Sequence, residues 1–232
     1  MADGSIHLVD RVLPRGADYR QWTLSFPRWL RLRLVRDPAL VSEVLGMFVR
    51  VVFAFHRRRA RDRGVADGET GAMTAIQRAG SFANGNLHFH TLIPEGVWQE
   101  QADGSVRFHP LPPPTDAEVE TLAVRIVRRT ARLVARRDEG GACDDEFDAL
   151  AHAQAESTQL PMPRFGPTPR TQTPTRQTPT RRRCALVDGF SLHANTVVDA
   201  NDRSALERLT RYLLRPMLSA DRLSLRPDCR VE

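Results

Sequence analysis

Residues 86–94, Asn86-Leu87-His88-Phe89-His90-Thr91-Leu92-Ile93-Pro94 (NLHFHTLIP), decide how the rest of the chain is read. The composition and alternation are those of a β-strand. Strand side chains alternate faces, and residues two apart stand about 7 Å from each other on one side. His88 and His90 therefore share a face, with Phe89 buried behind them. Such a pair is either two surface histidines or two imidazoles converging on one ion.

The preceding strand, Gly71–Arg78 (GAMTAIQR), reaches this one through the turn-forming GSFANGN at 80–86. Gln77 stands at its end, across the hairpin from His88. A neutral amide oxygen and two imidazoles leave positions open for phosphate oxygens and water, as a hard divalent cation prefers. Asn84 and Asn86 are read as turn residues.

Working outward, Tyr19–Pro27 (YRQWTLSFP) alternates Trp22, Leu24 and Phe26 against Gln21, Thr23 and Ser25, a half-buried strand closed by proline. Asp37-Pro38 supplies an N-cap with proline at the first helical position. The helix it starts runs to about Asp62, and its basic end, HRRRARDR at 56–63, either complements the helix dipole or contacts a polyanion. Asp103-Gly104 sits between Gly96–Gln101 and Ser105–His109 as a hairpin turn. Thr115-Asp116-Ala117-Glu118 is a capping box opening a helix to about Arg137, apolar on one side and arginine-rich on the other. Phe190–Val198 (FSLHANTVV) is a further strand, and Asn201-Asp202 caps a last helix stopped by Pro216. Runs of strands with helices between them predict an α+β fold on a mainly antiparallel sheet flanked by helices. Segment 138–183 turns first acidic and then into Thr-Pro-Thr-Arg repeats that cannot bury apolar area. It reads as a flexible, disordered insertion between 1–137 and 184–232, two parts of one domain.

The chain carries 34 basic side chains, all arginine, a net charge of +6 and a pI near 10.4. Arginine's planar fork binds phosphate bidentately, so a nucleic-acid partner is expected. Absence of lysine is also what a GC-rich genome yields. No apolar run reaches the roughly 18 residues of a membrane span, no secretory signal opens the sequence, and the three isolated cysteines suit a reducing, cytoplasmic setting.

Of the two tyrosines, Tyr212 lies on the last helix beside the apolar stripe Leu206, Leu209, Leu213, with Arg208, Arg211 and Arg215 around it. It is either an amphipathic aromatic at a core margin or a nucleophile, because cationic surroundings favour phenolate and the arginines can hold a phosphodiester.

Paired histidines around a bulky apolar residue, followed by a helical tyrosine, resemble the HUH endonucleases, and more closely the transposases of rolling-circle bacterial insertion sequences. The matching segments are HLVDRVLP (7–14), RQWTLSFP (20–27), AIQRAGSFANGNLHFHTLIPEGVW (75–98), DGFSLHA (188–194) and LERLTRYLLRP (206–216). The resemblance implies Mg²⁺ or Mn²⁺ held by His88 and His90 with Gln77 as third ligand, His193 being its competitor. It implies attack by Tyr212 on single-stranded DNA at element ends, giving a 5′-phosphotyrosine, with Arg208, Arg211 and Arg215 on the DNA. Many relatives carry a second tyrosine one helical turn away, where this chain has Arg208, and a cysteine-rich zinc segment before the HLVDRVLP region. The expectation is a transposase truncated at both ends. The alternatives are an inactive remnant that only binds nucleic acid, and a metal phosphodiesterase that uses the histidines without the tyrosine.

Overall fold

A computed structural model describes residues 6–78, 87–140, 176–177 and 182–214. Among these the strands are β1 (Tyr19–Ser25), β2 (Met73–Gln77), β3 (His88–Pro94), β4 (Gly96–Glu100), β5 (Val106–Pro110), β6 (Arg176–Gln177), β7 (Cys184–Val187) and β8 (Phe190–Val198). The α-helices are α1 (Arg28–Arg36), α2 (Pro38–Arg61), α3 (Asp116–Gly140) and α4 (Arg203–Leu213), and a π-helical turn spans Leu8–Val12. The main sheet runs β2-β3-β1-β8-β7-β6, with β4-β5 as a separate ribbon. Every pairing among the described residues is antiparallel, so the α+β expectation holds.

Local chemistry explains the element boundaries. The Asp37 side chain accepts from the Leu40 amide at 2.9 Å and starts α2 behind Pro38. Thr115 and Glu118 close the capping box reciprocally: the Thr115 amide donates to Glu118 Oε2 at 2.8 Å and the Glu118 amide to Thr115 Oγ1 at 3.2 Å. Asp202 accepts from the Ala205 amide at 2.8 Å and caps α4. Gly104 takes φ +78° in the β4–β5 turn, a left-handed conformation that costs glycine little.

Three features depart from the sequence reading. α1 occupies a stretch to which the sequence reading assigns no element; Leu30 and Leu34, one helical turn apart, are buried there and Leu32 is exposed. β7 adds a strand where the sequence suggests only a return to order. α3 continues to Gly140, three residues into the segment read as linker, most of which lies outside the described residues together with the 80–86 turn.

The larger core lies between the sheet and the α2–α3 layer. Phe89 is fully buried, edge-on to Phe26 at 5.0 Å between ring centroids, and Phe26 meets Phe190 at 6.0 Å. β3, the residue that follows β1, and β8 are thus stitched together through one aromatic column. α2 is long and apolar enough to cross a membrane by length and composition. Its Leu40, Val41, Val44, Phe48, Val52 and Phe55 are buried in this core instead, the arrangement of a central helix in a globular domain.

A buried ion pair sits at the end of this layer. Arg20 Nε and Nη2 donate to the two oxygens of Glu95, both at 2.6 Å, and Nη1 donates to the Ala194 carbonyl at 2.6 Å. That carbonyl lies where β8 carries one extra residue against β1, since Gln21 pairs Thr196 but Thr23 pairs His193. The bulge lets Val198 and His193, which differ in parity, both face away from the aromatic core.

Candidate active site

The sheet's second face carries the polar chemistry. Alternation that sends Phe89 and Ile93 into the aromatic core turns His88, His90 and Leu92 the other way. On β1 the same rule places Tyr19, Gln21, Thr23 and Ser25 on this face. Registers then align neighbours directly: Gln77 opposite His88, His90 opposite Thr23, and Thr23 opposite His193.

A second apolar cluster holds α4 against this face. Leu206 and Leu213 are buried with Val9, Leu13, Tyr19, Leu92 and Val198. An Arg203 guanidinium donates to the Val9 carbonyl, tying α4 to the π-helical turn. Tyr212 follows about 100° before Leu213 around the helix, which turns its ring toward the histidines. The His90 and Tyr212 ring centroids are 6.2 Å apart at 77°, and those of His88 and His90 are 4.7 Å apart at 74°. Tyr212 stays 57% exposed. Gln77 Nε2 donates to the Leu213 carbonyl at 3.4 Å, so β2 abuts the C-terminal turn of the tyrosine helix. Gln77, His88, His90 and Tyr212 therefore meet at one place.

His90 is only 7% exposed. Burial, and secondarily the neighbouring His88, lowers its pKa to about 4. The ring is therefore neutral at ordinary pH and keeps an electron pair available. Its Nδ1 lies 2.6 Å from Gln21 Nε2 and 3.1 Å from Thr23 Oγ1. Its Nε2 is buried and has no hydrogen-bond partner among the described residues. A ring nitrogen fixed on one side and unsatisfied on the other is the form a ligating histidine takes. Among the described residues no three His, Cys, Asp or Glu side chains cluster. Gln77, opposite His88, carries an amide oxygen that could serve as a further donor if the amide turned over.

His193 stands two strand spacings from His90, roughly 10 Å, with Thr23 between them. Its Nδ1 lies 3.0 Å from Cys184 Sγ and its Nε2 3.2 Å from Ser191 Oγ. The structure thus brings Gln77 to the pair and leaves His193 in a separate cluster. Arg208 and Arg211 are exposed on α4, but Arg211 is paired with Glu207 one turn back, which spends part of its charge. Arg215 lies outside the described residues.

Gln21 and Thr23 are not singled out by sequence reasoning. The available signal is the polar half of the RQWTLSFP alternation: once β1 is central, its polar side chains must face a polar neighbour.

Compared with known proteins, residues 71–231 match the family Y2_Tnp, described as "Putative transposase". No curated protein and no solved structure matches the chain.

Proposed function

The chain belongs to that transposase family, and from this premise we propose that it nicks and rejoins single-stranded DNA in the manner of the HUH rolling-circle enzymes, with Tyr212 as nucleophile. The observation that carries the reading is the approach of the Tyr212 ring to His90, itself packed on His88. Those residues lie on elements far apart in sequence, and the apolar packing of Leu206 and Leu213 beside Leu92 is what brings the tyrosine helix over the histidine strand.

A divalent cation, Mg²⁺ or Mn²⁺, fits the donors present. The unsatisfied Nε2 of a neutral His90 supports this, as does the oxygen-bearing amide of Gln77 opposite His88. His88, His90 and Gln77 would hold the ion. When bound, it supplies charge stabilisation to the oxygens of a scissile phosphate.

The chain's own residues account for the rest. Gln21 and Thr23 hold the His90 ring by its Nδ1. Either can accept as well as donate, Thr23 through its hydroxyl and Gln21 by turning its amide over. Nδ1 can therefore carry the hydrogen when Nε2 is committed to the ion. The Tyr212 oxygen attacks phosphorus: a tyrosyl O–P bond forms, the P–O3′ bond breaks, the phenol proton leaves, and the departing 3′ oxygen takes one up. The product is a 5′-phosphotyrosine with a free 3′-hydroxyl, and reversal rejoins the strand. Arg208 and Arg211 lie beside Tyr212 to meet the phosphates.

Incubation with single-stranded element-end DNA and Mn²⁺ tests this. The expected result is a protein–DNA adduct that survives denaturation and is absent in Tyr212→Phe. Equal adduct in Tyr212→Phe refutes the nucleophile. Cleavage without adduct points to a phosphodiesterase, and binding without cleavage to a nucleic-acid-binding remnant.

A further inference from the structure

The outer side of α3 has no role in the site just described. Arg125, Arg128, Arg129, Arg132 and Arg136 follow one another at intervals of one to four residues. At 100° per residue they fall within a stripe about 100° wide. Arg128, Arg129, Arg132 and Arg136 are exposed and Arg125 is half-buried. The stripe is roughly 16 Å long at 1.5 Å per residue. Glu118, Arg137 and Asp138 of α3 form ion pairs with Arg59, Asp37, Glu43 and Arg33, and the five guanidiniums of the stripe take no part in these. Arg58 of α2, also exposed, shares a shallow groove with Arg125 and with Glu118, whose carboxylate is paired with Arg59, and carries the arginine surface across the helix pair.

The stripe's position separates it from the tyrosine. α3 packs its Val119, Leu122, Ile126 and Val134 into the aromatic core, whereas α4 lies on the opposite face of the sheet. A helix diameter of about 10–12 Å and the sheet itself stand between the two. α3 also contains no aromatic residue. Single-strand binding relies on aromatic platforms on which bases stack, and a straight row of guanidiniums without them suits backbone phosphates. Its length matches about five base-pair rises of 3.4 Å.

We propose that this α3 stripe, with Arg58, is a second nucleic-acid surface that grips the backbone of double-stranded DNA while the opposite face handles a single strand. The duplex assignment takes its partner class from the family, and only its contrast with the opposite face rests on the single-strand reading proposed above.

The test uses the full chain, a fluorescent 20-bp duplex and a 20-nucleotide single strand of unrelated sequence, with binding followed by anisotropy across salt concentrations. In R128Q/R129Q/R132Q/R136Q the slope of log affinity against log salt for the duplex is expected to fall by about 3–4, at about 0.9 for each phosphate no longer neutralised. Duplex affinity should fall at least tenfold near 100 mM salt. Single-strand binding should change less than threefold, and the four-lysine variant at the same positions should restore the duplex slope. The melting temperature of each variant verifies that α3 is intact. An unchanged duplex slope overturns the proposal, and so does an equal loss for duplex and single strand. Adduct formation at Tyr212 is scored separately, so failure of the nicking reading leaves these arms interpretable.

Discussion

Replacing Gln21 by leucine is the sharpest probe of the histidine face. Gln21 is 8% exposed, and its Nε2 lies 2.6 Å from His90 Nδ1 and 3.3 Å from Thr23 Oγ1. Leucine is similar in volume, so the change removes hydrogen bonding with little loss of packing. His90 Nδ1 then keeps only the Thr23 hydroxyl, at 3.1 Å. Weakening one buried hydrogen bond costs about 1 kcal/mol of stability, which a denaturation curve of the protein without metal would read. The larger effect concerns the cation proposed for this site. Loss of an outer-sphere partner to a ligating histidine lowers metal affinity about 10–100-fold, or roughly 1.4–2.7 kcal/mol. Titration of Mn²⁺ followed by the resonance of the free ion measures this directly. Gln21→Glu should bind at least as tightly as the parent, because a carboxylate accepts strongly from Nδ1–H. A Gln21→Leu protein that titrates like the parent would refute the reasoning, and so would one that weakens only in proportion to its lost stability.

Two further outcomes follow from buried ionisable groups. Burial lowers the pKa of both His56 and His90 to about 4. Between pH 4 and about 6.5 the unfolded chain therefore binds up to two more protons there than the folded one, and stability should fall as pH drops through that window, by up to about 2.7 kcal/mol per unit. In His90→Gln roughly half of that slope should disappear, and an unchanged slope would count against the burial argument. Arg20→Met strands the Glu95 carboxylate in a site where it is 8% exposed and should destabilise by about 3–5 kcal/mol. Arg20→Met/Glu95→Gln should recover a large part of the loss in the same denaturation experiment, and a double variant no more stable than the single one would contradict it.

Much of this architecture is legible in the sequence because its signals are local. The Thr115–Glu118 box, the Asp37 and Asp202 caps and the Asp103-Gly104 turn each act within four residues, and each forms as read. The alternation in YRQWTLSFP and NLHFHTLIP correctly separates an aromatic side from a polar side. α1 escapes such reading because RWLRLRLVR satisfies a period of two nearly as well as one of 3.6, and only packing of Leu30 and Leu34 on α2 decides between them. The partners of His90 are hidden for a different reason. Gln21 and Thr23 sit some seventy residues away, and nothing local says which strand lies beside β3. The bulge in β8 is equally hidden, since it exists only relative to β1.

The position of β1 between β3 and β8 has a consequence for how the protein matures. Thr23 is joined on one side to His90 and on the other to His193, so the two halves of the polar face dock on one template at very different times during synthesis. A nascent chain that has released residues as far as α3 can already zip β3 onto β1 and set both imidazoles in place. The phenol arrives only after β8 has closed the opposite edge, a contact of very long sequence separation and hence slow to form. Until that closure the polypeptide carries its imidazole pair without its hydroxyl, and the two come within reach of each other only once β8 and α4 are in place.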